Sequence, residues 1–338
     1  MPSATVAAAP STSGNLDFDA LLAPSAAPAA SSPSAPAAPV AAAPLPVAQE
    51  AAPSWQDFAG SSTLYRDPIV CGFVSGAVLG ALGVFVVLRR AVFVTAAVSQ
   101  SAALGVALSF LLGIYWGTAP PPVLGALVLA LGCTALLAWR PRSPRLPREA
   151  LVGLLYVAAS GLAVLVGDRI TQEAEDVTAI LFGTAVLVRP QDLLAVLVVS
   201  ALVVAAIATL YRGLVFAGFD PEGARVQRLP VGWLELLLWV LVALEVSVTT
   251  RAVGALPVFA FSVLPAMAAL RATERLPYVV LAAGVLGGLA GGLGYLAAFF
   301  LRFPVGASQA ACAVVGFLLA SGLSQLRTSA AALLASRV

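Results

Sequence analysis

Arg89-Arg90-Ala91-Val92-Phe93-Val94-Thr95-Ala96-Ala97-Val98-Ser99-Gln100-Ser101-Ala102-Ala103-Leu104-Gly105 closes one apolar run on two arginines and opens a second almost at once. The run before it, Pro68 to Leu88, is uncharged and reaches the roughly 20 residues that a helix needs to cross a bilayer. The run after it carries Thr95, Ser99, Gln100 and Ser101 inside an otherwise hydrocarbon-compatible helix. Polar groups at that depth must be satisfied by the protein or by a water-lined path.

Such runs recur along the chain. Of the 338 residues 60% are hydrophobic and 10% charged, with a mean hydropathy of +0.99, well outside the range of soluble domains. The runs are long and continuous, not alternating, so an all-α polytopic bundle is expected, not a barrel. Nine spans are predicted, at about Pro68–Leu88, Val92–Gly113, Pro122–Trp139, Ala150–Gly167, Leu193–Leu210, Gly232–Thr249, Ala252–Leu270, Tyr278–Leu301 and Gln309–Leu323. The seventh holds Pro257 and Pro265 and is expected to be kinked or broken; eight spans remain if it is re-entrant.

Absent residues narrow the chemistry further. There is no histidine, and all 18 basic residues are arginine. A chain without lysine has no GxxxxGK[ST] phosphate loop, so any ATP hydrolysis must come from a partner. Without histidine there is no Ser-His-Asp or Cys-His catalysis and no imidazole metal ligand. The chain is therefore expected to be no enzyme, to carry no cofactor of its own and to bind no nucleic acid. Cys71, Cys133 and Cys312 each sit in an apolar span at spacings that match no metal site or disulfide framework, and are read as packing residues.

Residues 1–62, rich in Ala, Pro and Ser, are expected to be a disordered tail; residues 63–326 form the membrane domain and 327–338 a C-terminal tail. The tail lacks the basic start and apolar core of a signal peptide. Thirteen of the 18 arginines fall in the loops after odd-numbered spans, which places those loops in the cytoplasm and the N-terminal tail outside. Of the polar loops, Arg212 to Pro230 is the longest. Within it Asp220 can cap a helix that begins with Pro221 and Glu222, since proline loses no hydrogen bond at the first position and glutamate meets the positive helix end. A short cytoplasmic helix results, able to lie in a groove of a soluble protein.

Eight segments, in order, resemble the permease subunits of zinc and manganese ABC importers over about residues 67–325. They are Val86–Arg90, Ser99–Gly105, Glu149–Tyr156, Leu181-Phe182-Gly183 followed by Pro190–Leu193, Phe219–Arg225, Arg251–Leu256, Leu264-Pro265-Ala266 and Pro304–Ser308. The resemblance implies a multi-pass protein of the bacterial plasma (inner) membrane that pairs with itself. It further implies a cytoplasmic ABC ATPase and an extracytoplasmic solute-binding protein as partners. Phe219, Asp220, Pro221, Glu222, Ala224 and Arg225 take the place of the helix that couples the ATPase to the permease.

The same resemblance places an aspartate and a histidine four residues apart in the second span, as metal ligands facing the path. Here those positions are Ala96 and Gln100. A histidine found in the family's fourth span is likewise missing, the position being Val157 or a neighbour. Thr95, Ser99 and Gln100 are candidates for the substrate path, or else polar glue between helices. Glu245, in Ala243-Leu244-Glu245-Val246-Ser247 of the sixth span, is a further path candidate. It is a relocated cation ligand with Gln100 and Ser99, a protonated acid, or the partner of an arginine at a helix end. The metal ligands are thus left unknown. Three function classes follow: an ABC permease for zinc or manganese, the same architecture carrying a chelated metal or another solute, and an ion-gradient-driven secondary transporter. The last has no need of the Asp220 helix.

Overall fold

The computed structural model describes residues 62–117, 120–138, 147–170 and 188–335. The expected disordered tail, the loop arginines Arg140, Arg142 and Arg145, and the segment Leu181-Phe182-Gly183 lie outside the described residues. Ten helices follow in order: α1 Ser62–Leu88, α2 Val92–Trp116, α3 Pro122–Ala138, α4 Arg148–Arg169, α5 Pro190–Phe219, α6 Pro221–Val226, α7 Val231–Val253, α8 Ala255–Ala272, α9 Leu276–Leu301 and α10 Val305–Ala335. Eight of them are long and apolar enough to cross a membrane, and α3, with 17 residues, is the shorter apolar helix beside them. The helix that falls short is therefore the third apolar segment and not the proline-bearing seventh.

Neither proline breaks that seventh segment. Pro257 falls in the first turn of α8, where no intrahelical donor is lost, and the helix runs on through Pro265 to Ala272. The break comes earlier, at Gly254, whose φ of 107° and ψ of 160° are open only to glycine. Arg251 consequently belongs to α7 and not to a loop, and Ala252 and Val253 belong to α7 and not to the next span, where the sequence reading places them.

Helix α1 is the spine of the bundle. It packs along α9 and also against α8, α5 and α7; α2 gathers α3 and α4, and α7 joins the two groups by touching α3, α5 and α2. The α1–α9 seam is built from small residues: Gly72, Gly76 and Gly80 face the backbone of Gly291, Gly287 and Ala283. The glycine-rich run Gly284–Gly294 is thereby consumed inside one bundle, with Gly294 pressed against Gln309 of α10. Burial follows the same plan: α1, α2, α7 and α8 are central, whereas α4 and α5 turn most of their apolar surface outward, as lipid-facing helices do.

Two of the quoted sequence motifs meet at one end of the bundle. Arg251 Nε of α7 lies 3.7 Å from Asp192 Oδ1 at the start of α5, and its guanidinium stacks 5.4 Å from the centre of the Phe110 ring of α2. Cys71 and Cys133 are buried in the main apolar cluster and all three cysteines are free thiols, as packing residues would be.

Candidate translocation cavity and coupling helix

The hydroxyls of α2 are satisfied mostly by their own helix. Thr95 donates to Val92 O (2.8 Å), Ser99 to Ala96 O (3.0 Å), Ser101 to Ala97 O (2.8 Å) and Ser109 to Gly105 O (3.0 Å), the local bonding that short polar side chains permit. Thr95 also accepts from Ser262 of α8 at 3.0 Å, so it binds two helices together. Glutamine cannot fold back in this way, and Gln100 Oε1 is buried without a hydrogen-bond partner among the described residues.

Gln100 opens onto a cavity of about 1240 Å³ between α2, α4, α8 and the α1–α2 turn. Ala96, Ser99 and Gln100 line it from α2; Glu149, Tyr156 and Ser160 from α4; Leu256 and Phe259 from α8; Arg89 and Arg90 from the turn. Ala96 and Gln100, the two positions of the second span to which the resemblance assigns metal ligands, are both on this wall. In α4 the cavity face holds Tyr156 and Ser160, while Val157 is 67% exposed on the outside. The α4 contribution was missed as a site from sequence, although Glu149, Gly153, Tyr156, Ser160 and Val164 recur at helical spacing and so share one face.

Two of the four path candidates are not on this wall. Thr95 is buried at the α2–α8 contact. Glu245 is fully buried between α7 and α5, where Ser200 donates to its Oε1 at 2.8 Å. Its Oε2 has no partner within hydrogen-bond distance among the described residues; nearby Thr249 directs its hydroxyl to Ser75, 3.4 Å away. The structure does not bring Glu245 together with Ser99 and Gln100 on the cavity wall, and the arginine of its own helix, Arg251, is engaged by Asp192. Among the described residues, no three His, Cys, Asp or Glu side chains gather into a metal-holding set.

The loop helix forms as its sequence requires. Asp220 caps α6, its Oδ1 accepting from Gly223 N at 2.8 Å; Pro221 opens the helix, Glu222 sits in its first turn and Arg225 in its last. Ala224 is fully buried in the main apolar cluster and pins α6 to the bundle, while Glu222 and Arg225 are exposed and Phe219 (58%) and Val226 (84%) offer apolar surface outward. A short helix anchored by one small residue, with charged and apolar groups facing out, is suited to docking.

Residues 62–324 match the ABC 3 transport family. The manganese import system permease protein ScaB of Streptococcus parasanguinis is 30% identical over 255 residues, covering 75% of this chain and 88% of that protein. The manganese transport system membrane protein MntC of Listeria innocua is 23% identical over 252 residues, 75% of this chain and 88% of its own length. Among solved structures, PsaBC from Streptococcus pneumoniae in complex with Fab superposes with a TM-score of 0.70 at 24% identity, over 78% of this chain and 93% of that one, a likeness of fold. Eight helices long and apolar enough to cross a membrane, a large cavity beside α2 and a capped loop helix agree with these matches, and the chain belongs to the ABC 3 transport family as a multi-pass membrane permease, the transport subunit of an ABC importer whose ATP hydrolysis resides in a separate ATPase.

Proposed function

We propose that this permease imports a divalent transition metal, manganese or zinc, and works as a homodimer around a central path. A cytoplasmic ABC ATPase that binds the ATP docks on α6, and a solute-binding protein delivers the metal from the other side. The observation that carries this reading is α6 itself: a helix capped by Asp220 and anchored by Ala224 on the arginine-rich side of the bundle. The ATPase closing on ATP would press α6 and rock the helices around the cavity from inward- to outward-facing. The names of the ScaB and MntC relatives favour manganese.

A second reading, transport of the metal as a chelate, is favoured by the cavity wall. It holds Arg89 and Arg90 against the single carboxylate Glu149, with neutral Ser99, Gln100, Tyr156 and Ser160 between. A bare Zn²⁺ or Mn²⁺ prefers carboxylate, imidazole or thiolate ligands. The test is uptake into proteoliposomes holding the permease, its ATPase and its binding protein, with radiolabelled metal offered free and chelated. ATP-dependent uptake of the free ion supports the first reading and uptake of the chelate alone the second. An ATPase that neither binds the permease nor is stimulated by it refutes both.

A further inference from the structure

The α1–α2 turn at Arg89-Arg90 is a wall common to two cavities. One is the large cavity described above; the other is a cleft of about 430 Å³ lined by Arg89, Arg90, Glu222, Arg225 and Glu235 together with apolar neighbours. The smaller cleft separates α6 from the end of α1. Helix α6 packs on α5 and α7, and the shortest polar link from it to the turn runs across that cleft. Across it, Arg89 Nη1 lies 3.9 Å from Glu235 Oε1.

Both ends of that ion pair are mounted stiffly. On one side, the turn that leads from α6 into α7 is closed by Gln227 N to Gly223 O (3.1 Å), Arg228 N to Arg225 O (2.9 Å) and Leu229 N to Ala224 O (2.9 Å), and Leu234 N of α7 bonds back to Pro230 O at 3.0 Å. Glu235 then follows in the second turn of α7. On the other side, the turn is closed by Arg90 N to Val87 O (2.9 Å) and Ala91 N to Val86 O (3.2 Å), with Arg90 in the left-handed region at φ 55°. Displacement of Arg89 therefore passes straight into Val92 and along α2 to Ala96, Ser99 and Gln100, which line the cavity. The side chains of Arg89 and Glu235 are 12% and 31% exposed, so solvent and salt screen them less than a surface pair. Their separation is at the long end of an ion pair, with room to shorten as α6 moves.

We propose that Arg89 and Glu235 are positioning residues that transmit movement of α6 to the cavity wall. The inference rests on α6 being the ATPase-docking helix. The test uses the complete complex of permease, ATPase and binding protein in proteoliposomes, with ATP hydrolysis and metal uptake measured side by side. Glu235→Gln and Arg89→Gln should each still bind the ATPase, yet lose about tenfold in metal moved per ATP, the scale of a coupling term between contacting residues. Arg89→Lys, which keeps the charge, should retain most of the ratio. The reversed pair Arg89→Glu/Glu235→Arg should recover it to within about threefold. Unchanged transport per ATP in Glu235→Gln overturns the proposal. So does a reversed pair no better than the single variants, or an Arg89→Lys as poor as Arg89→Gln. Should Arg89→Gln fail to fold, Glu235→Gln and Arg89→Lys decide alone. A wild-type permease that fails to bind its ATPase would refute the docking role of α6 itself, a result distinct from any difference among variants.

Discussion

Adding one methyl group to Gly76 should weaken the bundle more than most changes of its size. A Cβ built there overlaps the carbonyl oxygen of Gly287, and a Cβ on Gly287 overlaps the carbonyl oxygen of Gly76. Both obstacles are backbone, so no rotamer change relieves them and α1 and α9 must part. A separation of 0.5–1 Å forfeits roughly a quarter to a half of the dispersion energy at each contact it opens, and overpacking in a tight core costs about 1–3 kcal/mol. The upper end applies because Gly72, Gly80, Gly291 and Ala283 lie on the same seam; about 3 kcal/mol is roughly a hundredfold in the folded-to-unfolded ratio. Gly132 of α3 is the control, since a Cβ there meets nothing within 4 Å, and helix propensity favours alanine by up to about 1 kcal/mol. Denaturant or heat unfolding of the purified permease in mild detergent should show Gly76→Ala strongly destabilised and Gly132→Ala unchanged or improved. The double variant Gly76→Ala/Gly287→Ala should cost less than the sum of its singles, because helices already parted accommodate both methyls. Equal behaviour of Gly76→Ala and Gly132→Ala would refute the seam as the contact that sets the spacing of α1 and α9.

Two further changes probe the loop helix and the buried acid. Asp220→Ala removes the acceptor for Gly223 N, a loss of about 1 kcal/mol that a six-residue helix cannot absorb; binding of the ATPase should weaken, and Asp220→Asn should restore it. Glu245→Ala leaves the Ser200 hydroxyl without its acceptor and opens a hole, about 3 kcal/mol in unfolding, whereas Glu245→Gln keeps the volume and an accepting oxygen and should fold and transport as wild type. A well-folded Glu245→Gln without metal uptake would make this carboxylate a ligand after all.

What the sequence made legible is what local chemistry decides. Spans follow from length and apolarity, and the start of α6 follows from Asp220 and Pro221, because both depend on neighbours within one turn. The sequence pattern ends the sixth span at Thr249, four residues short of the end of α7, and expects the seventh to break at its prolines, whereas Pro257 sits harmlessly in a first turn and the break is made by Gly254. The glycine run of α9 showed that a close approach exists but not what approaches. Which helix meets it is decided by the matching glycines of α1, some 200 residues earlier, and no periodicity reports that pairing.

The polar residues of the spans divide by reach, and the division explains why Gln100 and Glu245 invite being grouped although the fold separates them. Serine and threonine are short enough to bond a carbonyl one turn back, and all four of those in α2 do so. Such residues are content in an apolar span whatever lies beside them, so their presence says little about a path. Glutamine and glutamate have no such recourse and must be met by another helix or by a cavity. Glu245 is met through Oε1 by Ser200, 45 positions away on α5, and Gln100 lies on the cavity wall; Gln100 Oε1 and Glu245 Oε2 are both buried without a hydrogen-bond partner among the described residues. Of the two, only Gln100 lies on the cavity wall, and under the proposed transport function it is the one placed to meet what passes through.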